Sequence, residues 1–356
     1  MVISQKKEEI LSAESVQVAA SLQSSLPIYF HDKPLAESLS EIEQASVRLA
    51  SVILETPLLQ SRDLNDRVGA KIYVKSEQFQ HSGSFKYRGA FYWLLRMPQS
   101  DRRKGVVCFS SGSLGIAIAA AAQMMGVKAV IFMPAFAPEI KAMAARRYSA
   151  DVVVLDVTAE ELGIKAEQYA KENGHIFLHA YDTPDIITAH GTVGLELIRQ
   201  MARLKVRPDM VLIPCGGGAL TSGVSLAMAG LSPETRVMAV EPYGFDDTLR
   251  SLHFSTRLGV NPRATSICEG LTTPMPGKMT IEIMRHYLSG SVTVNDDEVK
   301  QAMKFAFHHM KTVLEPSGAA ALAAILSGAI DVRGLNIAII TTGGNVEHGF
   351  FSSCLA

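Results

Sequence analysis

Short, uniformly apolar runs take turns with longer amphipathic or alanine-rich stretches along most of this chain. The runs are "KIYVK" (71–75), "GVVCFS" (105–110), "KAVIFM" (128–133), "DVVVLD" (151–156), "HIFLH" (175–179), "MVLIP" (210–214), "RVMAVE" (236–241), "SVTV" (291–294) and "NIAIIT" (336–341). Taken together they show little in/out polarity, which predicts strands covered on both faces, as in a parallel sheet between helix layers. The stretches between them predict helices over 85–97, 114–125, 138–148, 159–172, 184–204, 219–229, 296–311 and 318–326. Strands and helices in alternation make this an α/β chain.

The strands fall into an early group, 105–179, and a later group from 210 onward. "AYDTPD" (180–185), with its turn-forming Asp, Thr and Pro, is the predicted crossing between lobes. The expected organisation is an N-terminal extension over 1–40, a large domain from 41–104 with 184–356, and a small domain over 105–183. Residues 251–277 have little periodicity and read as a long surface or active-site loop.

Composition narrows the partners. The 34 Lys and Arg against 35 Asp and Glu give a net charge of −1, which creates no field for nucleic acid or an anionic membrane. Cys108, Cys215, Cys268 and Cys354 are far apart with no CxxC pair, which fits a reducing compartment. The first residues lack a secretory apolar region, so the cytoplasm is the expected location. The apolar stretch 115–137 is broken by Gln123, Gly126, Lys128 and Pro134 and reads as a buried helix followed by a strand, not a membrane span.

Three glycine-containing loops follow predicted strands. In "VLIPCGGGALTSG", Gly216, Gly217 and Gly218 run into a helix, where consecutive N–H groups and the helix N-terminus can cradle a phosphate. A tight turn that needs glycine for backbone reasons alone explains this stretch equally well. "SSGSLG" (110–115) offers hydroxyl and backbone donors to a carboxylate, or else an ordinary serine N-cap. "TTGGN" (341–345) repeats the arrangement. At the carboxyl ends of parallel strands all three would face one crevice. In "HSGSFKYRGA" (81–90), Lys86 stands between Phe85 and Tyr87 at an apolar helix start, where partial burial would lower its pKa and free a neutral amine for attack on a carbonyl.

In order and separation, "SGSFKYRGA", "SSGSLG", "PCGGGAL", "AVEP", "EPSGAAA" and "TTGGN" resemble the fold type II pyridoxal-phosphate enzymes, in particular the threonine/serine dehydratase and serine racemase branch. The resemblance spans nearly the whole chain. It implies a tryptophan synthase beta-like α/β fold of two three-layer lobes with mostly parallel sheets. It further implies that Lys86 carries pyridoxal 5'-phosphate, that Phe85 packs beside it, and that the N–H groups of Gly216, Gly217, Gly218, Ala219 and Leu220 hold its phosphate. Thr342 would meet the pyridine nitrogen, and Ser113 would stand beside the ring. The loop of Ser110, Ser111, Gly112, Ser113, Leu114 and Gly115 would take the substrate carboxylate, with Ser111 as a second catalytic group opposite the lysine. "EPYGFDD" resembles that branch's cation site, with Glu241, the Phe245 carbonyl and Asp247 as oxygen ligands for magnesium or calcium; an acidic surface turn is the competing reading. A homodimer is expected by the same resemblance.

The implied reaction is loss of the β-hydroxyl and the amine from a threonine- or serine-like amino acid, giving a 2-keto acid and ammonia. Racemisation or β-replacement on the same scaffold, and a catalytically quiet ligand-binding protein, are the alternatives. The chain departs from the branch in several places. Ser113 stands where asparagine is usual, Leu114 where histidine or phenylalanine is common, Ala219 replaces a fourth glycine, and His190 replaces a glutamine. His190 reads as a satisfied core or surface histidine, and Glu269 in "CEGLTTPMPG" as a solvated loop acid, with contact to a polar substrate tail as the competing reading.

Overall fold

The computed structural model describes residues 29–30, 33–261 and 263–356. Besides a short antiparallel pair, Tyr29–Phe30 with Lys33–Pro34, its strands in chain order are β1 (Leu58–Leu59), β2 (Lys71–Ser76), β3 (Val106–Phe109), β4 (Ala129–Pro134), β5 (Asp151–Leu155), β6 (Ile176–Phe177), β7 (Met210–Pro214), β8 (Arg236–Pro242), β9 (Gly290–Val294) and β10 (Asn336–Thr341). Every apolar run of the sequence contains a strand. The strands build a six-stranded sheet in the order β9-β8-β7-β10-β2-β1 and a four-stranded sheet in the order β5-β4-β3-β6. All neighbours run parallel except β1 and β2. β10 enters the middle of the larger sheet, pairing Ile337 to both Ile72 and Met210.

Helices cover both sheets. Three of them, Ser113–Met125, Ala219–Leu231 and Pro316–Leu326, are rich in alanine and buried almost all round. Small side chains let them lie close to their neighbours. Gly223 shows how close: a Cβ there would come within 2.4 Å of the Ile187 carbonyl oxygen on helix Pro184–Arg203. One buried cluster joins the two lobes, running from Ala90 and Leu94 on helix Lys86–Arg96 to Ala117 and Ile118 of the small lobe and on to Ile131 beneath them. Burial of this kind contributes about 25 cal/mol per Å² of apolar surface, so the lobes are held by a shared core as well as by the chain crossing.

Several elements differ from the sequence reading. Helix Leu35–Leu49 begins inside the stretch read as a polar extension, and its Ile42, Ala45 and Leu49, at helical spacing, enter the core. Helix Lys278–Tyr287 was not anticipated; Ile281 and Met284 give it a narrow apolar stripe between polar residues. The helix expected over 296–311 stops at Phe305 and continues as a π-helical turn, Ala306–Met310, closed by Lys311 at φ 56°.

Candidate active site

The lysine loop and the last glycine loop are laced together. After β2 the chain makes two short 3₁₀ turns and enters helix Lys86–Arg96 at Lys86 itself. Phe85 N donates to the Thr342 carbonyl at 3.2 Å, Gly344 N donates to the Gly83 carbonyl at 3.0 Å, and Asn345 Nδ2 donates to the Ser82 carbonyl at 2.9 Å. Ser84 and Gly343 form a β-bridge. Gly83 is required here: its φ is 76°, and a Cβ would stand 2.5 Å from Asn345 Oδ1.

Lys86 is half-buried, its Nζ 5.1 Å from the centre of the Phe85 ring. Part of its surface stays open, as befits a side chain lining a cleft, yet the surrounding protein is dense enough that desolvation dominates its ionisation. Burial lowers its pKa; the Lys141 charge acts in the same direction, and Glu315 opposes both.

The triple-glycine loop follows β7. Among the described residues, the N–H groups of Gly216, Gly217, Gly218, Ala219 and Leu220 have no hydrogen-bond partner, although the loop is largely buried. Orphan backbone donors in series are rare and costly, and here they open helix Ala219–Leu231, whose N-terminus favours an anion. Gly218 sits at φ 92°, and a Cβ on Gly217 would meet the Tyr181 ring at 2.3 Å. The stretch is thus both a glycine-requiring turn and a cradle suited to a phosphate.

The loop after β3 has the same character. Ser110 Oγ accepts from Gly112 N at 3.0 Å, while the N–H groups of Ser111, Ser113, Leu114 and Gly115 have no partner among the described residues. The Leu114 side chain and Gly115 are packed into the interior: Leu114 joins the shared core, and a Cβ on Gly115 would meet Ile131 at 2.7 Å. Any contact they make with a ligand is through their backbone. Ser113 donates to Glu315 at 3.3 Å and accepts from Asn345 Nδ2 at 3.1 Å, so its hydroxyl ties the small lobe to the large one. The Thr342 hydroxyl is buried and donates to the Ser317 carbonyl at 3.4 Å.

An acid, Glu315, and a second lysine, Lys141, were not assigned by sequence reasoning. Glu315, the first residue of "EPSGAAA", is buried; desolvation raises its pKa despite the nearby charges of Lys141 and Lys86 and the Ser113 hydrogen bond. Lys141, from helix Glu139–Arg147 of the small lobe, pairs with Glu269 at 2.7 Å and lies 3.8 Å from Glu315. Glu269 is therefore the partner of a buried cation and not a solvated loop acid. His190 also departs from expectation. It packs edge-on against Phe85, 4.7 Å between ring centres, and neither ring nitrogen has a partner. Burial, then the positive charges of Lys86 and Arg88, hold it neutral.

Behind Lys86 the helix is anchored by Arg88, which is fully buried. It makes paired hydrogen bonds to Glu77, both 2.8 Å, and to Glu196 at 2.6 and 2.8 Å, while Lys75 donates to Glu196 at 2.8 Å. This cluster fixes the direction of the helix that starts at Lys86.

Glu241 and Asp247 of the "EPYGFDD" stretch are buried, which excludes the surface-turn reading for these two acids, although Tyr243 between them is exposed. Glu241 accepts from Thr248 N, Leu249 N and the Ser291 hydroxyl, and Asp247 Oδ2 has no partner. Desolvation, aided by their mutual repulsion at Asp247, raises Glu241 to about 7 and Asp247 to about 8. Among the described residues no group of three or more His, Cys, Asp or Glu side chains converges on a metal position.

The profile of the family described as pyridoxal-phosphate dependent enzyme matches residues 49–343, and so spans lysine loop, glycine cradle and most of the last loop. The chain belongs to that family. The orphan N–H groups of 216–220 and the crevice lysine are what this cofactor needs, an anion cradle and an amine of lowered basicity. Among its relatives are the L-threo-3-hydroxyaspartate ammonia-lyase of Saccharomyces cerevisiae, 36% identical over 90% of this chain and 97% of that protein, and the L-threonine ammonia-lyase of Thermotoga maritima, 33% identical over 87% and 76%. Maize serine racemase superposes with a TM-score of 0.83 at 32% identity, covering 88% of this chain and 95% of that one. The two mostly parallel sheets agree with the architecture expected of fold type II. No helix among the described residues is long and apolar enough to cross a membrane.

Proposed function

We propose that this protein is a pyridoxal-phosphate-dependent ammonia-lyase that converts a β-hydroxy amino acid, threonine or serine, to a 2-keto acid and ammonia. The observation carrying this reading is an amine of lowered basicity, Lys86, together with two separate sets of unpartnered N–H groups, at 216–220 and at Ser111, Ser113, Leu114 and Gly115. One set suits a phosphate and the other a substrate carboxylate.

When bound, the cofactor supplies the electron sink that makes the α-hydrogen of an amino acid acidic. The Lys86 side chain would hold it, Phe85 would flank it, and the 216–220 donors would grip its phosphate. The loop at 110–115 would then orient the substrate through its carboxylate, leaving the α-hydrogen toward Lys86, whose amine, freed when the substrate's own amine takes its place, would accept the proton. The β-hydroxyl would leave as water by taking up a proton, the one held by Lys86 balancing the count, and the enamine product would tautomerise to an imine whose hydrolysis releases ammonia and the keto acid. Turned from the Ser317 carbonyl, Thr342 would offer the ring a neutral hydroxyl rather than a carboxylate, which favours expulsion of a β-substituent over transamination.

The Ser111 hydroxyl makes no hydrogen bond to protein among the described residues, which keeps it free to exchange a proton on the face opposite Lys86. That supports amino-acid racemisation as the second reading. A divalent ion at Glu241, the Phe245 carbonyl and Asp247 is part of the proposal; the orphan oxygen of Asp247 and the unneutralised burial of both carboxylates support it, and oxygen donors suit magnesium or calcium. We further propose a cytoplasmic homodimer. Keto acid release from a panel of serine, threonine, hydroxyaspartate and phenylserine tests the activity, with chiral analysis for D-isomers run in parallel. A yellow protein that releases no keto acid from any of the four would overturn it.

A further inference from the structure

The charges at the mouth of the crevice are already matched to one another. Lys141 reaches across from the small lobe and lies against the carboxylate-binding loop: a Cβ on Gly112 would stand 2.9 Å from its Nζ and 2.7 Å from its Cδ. Its ammonium meets Glu269 at 2.7 Å and has Glu315 at 3.8 Å. The Lys141 side chain is 7% exposed and that of Glu269 36%, so the pair sits at the boundary between the buried site and its opening. A second carboxylate on a substrate held by this loop would need a cation beside it, and Lys141 is the cation that reaches the loop. Here that cation faces two carboxyl groups, and an incoming third would lie beside Glu269 in a region of reduced dielectric, where like charges repel strongly. A hydroxyl or a methyl group meets no such repulsion.

We propose that Glu269 selects substrates by side-chain charge: by occupying Lys141 it excludes amino dicarboxylates and admits β-hydroxy amino acids with uncharged side chains. This rests on the lyase reading above and sharpens it, because hydroxyaspartate then falls outside the substrate range while serine and threonine fall within it. The role of Glu269 is exerted through Lys141, so replacing the lysine must cancel whatever replacing the acid produces.

The test uses full-length holoenzyme as wild type, Glu269→Gln, Glu269→Asn and Glu269→Gln combined with Lys141→Met. Two quantities are read: the ratio of kcat/KM for hydroxyaspartate to that for serine, and the rise in melting temperature caused by malonate over that caused by equal acetate. In wild type the ratio is expected to lie below about 0.1, and either single variant raises it roughly tenfold or more, the scale of one like-charge contact removed near the surface. Malonate should stabilise the single variants more than wild type, and the double variant should lose both gains. A wild-type ratio of one or above, single variants that leave ratio and malonate shift unchanged, or a gain that persists without Lys141, would each overturn the proposal. If no hydroxy amino acid is turned over by any form, the lyase reading fails, and the malonate shift alone decides the role of Glu269.

Discussion

Arg88 offers the sharpest check on how this site is held. Replacing it with methionine keeps most of the volume but removes four hydrogen bonds to carboxylates, two to Glu77 and two to Glu196, both acids being largely or wholly inside the protein. Lys75 still reaches Glu196, but Glu77 is left with the Thr56 hydroxyl. Breaking a buried ion pair from one side costs about 3–5 kcal/mol, because the abandoned charge stays desolvated. At about 2–4 °C per kcal/mol the melting temperature should fall by roughly 10 °C. The loss should depend on pH in a definite direction. In the wild type, Glu196 is held below its ordinary value by Arg88, against the opposing pull of desolvation, so its contribution is present above about pH 4.5 and fades as the pH falls through the folded value. In Arg88→Met the stranded carboxylates are relieved by protonation, so the variant gains relative stability as the pH drops. Urea unfolding at pH 7.5 and 5.5 should show the gap between the two proteins narrowing at the lower pH. Changing Glu77 and Glu196 to glutamine in the same variant should recover part of the loss. A loss below about 1 kcal/mol, or one that is equal at both pH values, would refute the argument that uncompensated buried charge is what Arg88 prevents.

Lys86→Ala should abolish the yellow colour of the purified protein and its turnover together; keeping either would remove Lys86 from its assigned place. Gly217→Ala should weaken pyridoxal-phosphate binding by roughly tenfold or more, and pyridoxal binding much less, because a Cβ there strikes Tyr181 and shifts the phosphate donors; equal losses for the two ligands would contradict the cradle. Glu241 and Asp247 have folded-state values above the ordinary ones, so the native state holds extra protons and stability declines as pH rises from about 4 to about 8. Magnesium or calcium should therefore raise the melting temperature more at pH 8 than at pH 6, and Asp247→Asn should remove that difference; an identical response in wild type and variant would rule the site out.

The strands were legible because they are continuous apolar runs, and the direction of the sheets followed from that same absence of alternation. Helix Leu35–Leu49 was hidden by its composition: Ile42, Ala45 and Leu49 form a stripe too thin to stand out among serines and glutamates. The glycine turn at 216–218 and the lysine at 86 stood out by local chemistry, since glycine repeats and an aromatic-flanked lysine carry meaning at short range, but their roles came only with the resemblance. The pairings could not. Arg88 finds Glu196 more than a hundred positions away, and Lys141 finds Glu269 across the cleft between lobes. Sequence spacing carries no trace of such partners, and for that reason Glu269 looked solvated and His190 looked satisfied. Ser113 is a further case, for its hydroxyl is committed to Glu315 and Asn345, both far along the chain.

The place of β10 has a consequence for how the protein is made. This strand comes after all the other described strands along the chain, yet it slots between β7 and β2, and the loop after it is bonded to the backbone of the residues just before Lys86. A ribosome-bound chain lacking residues 336–345 has an open seam through its main sheet and no fixed seat for that amine. Coenzyme capture would therefore report that translation has passed this strand, and fragments ending earlier should emerge colourless and exposed to proteases.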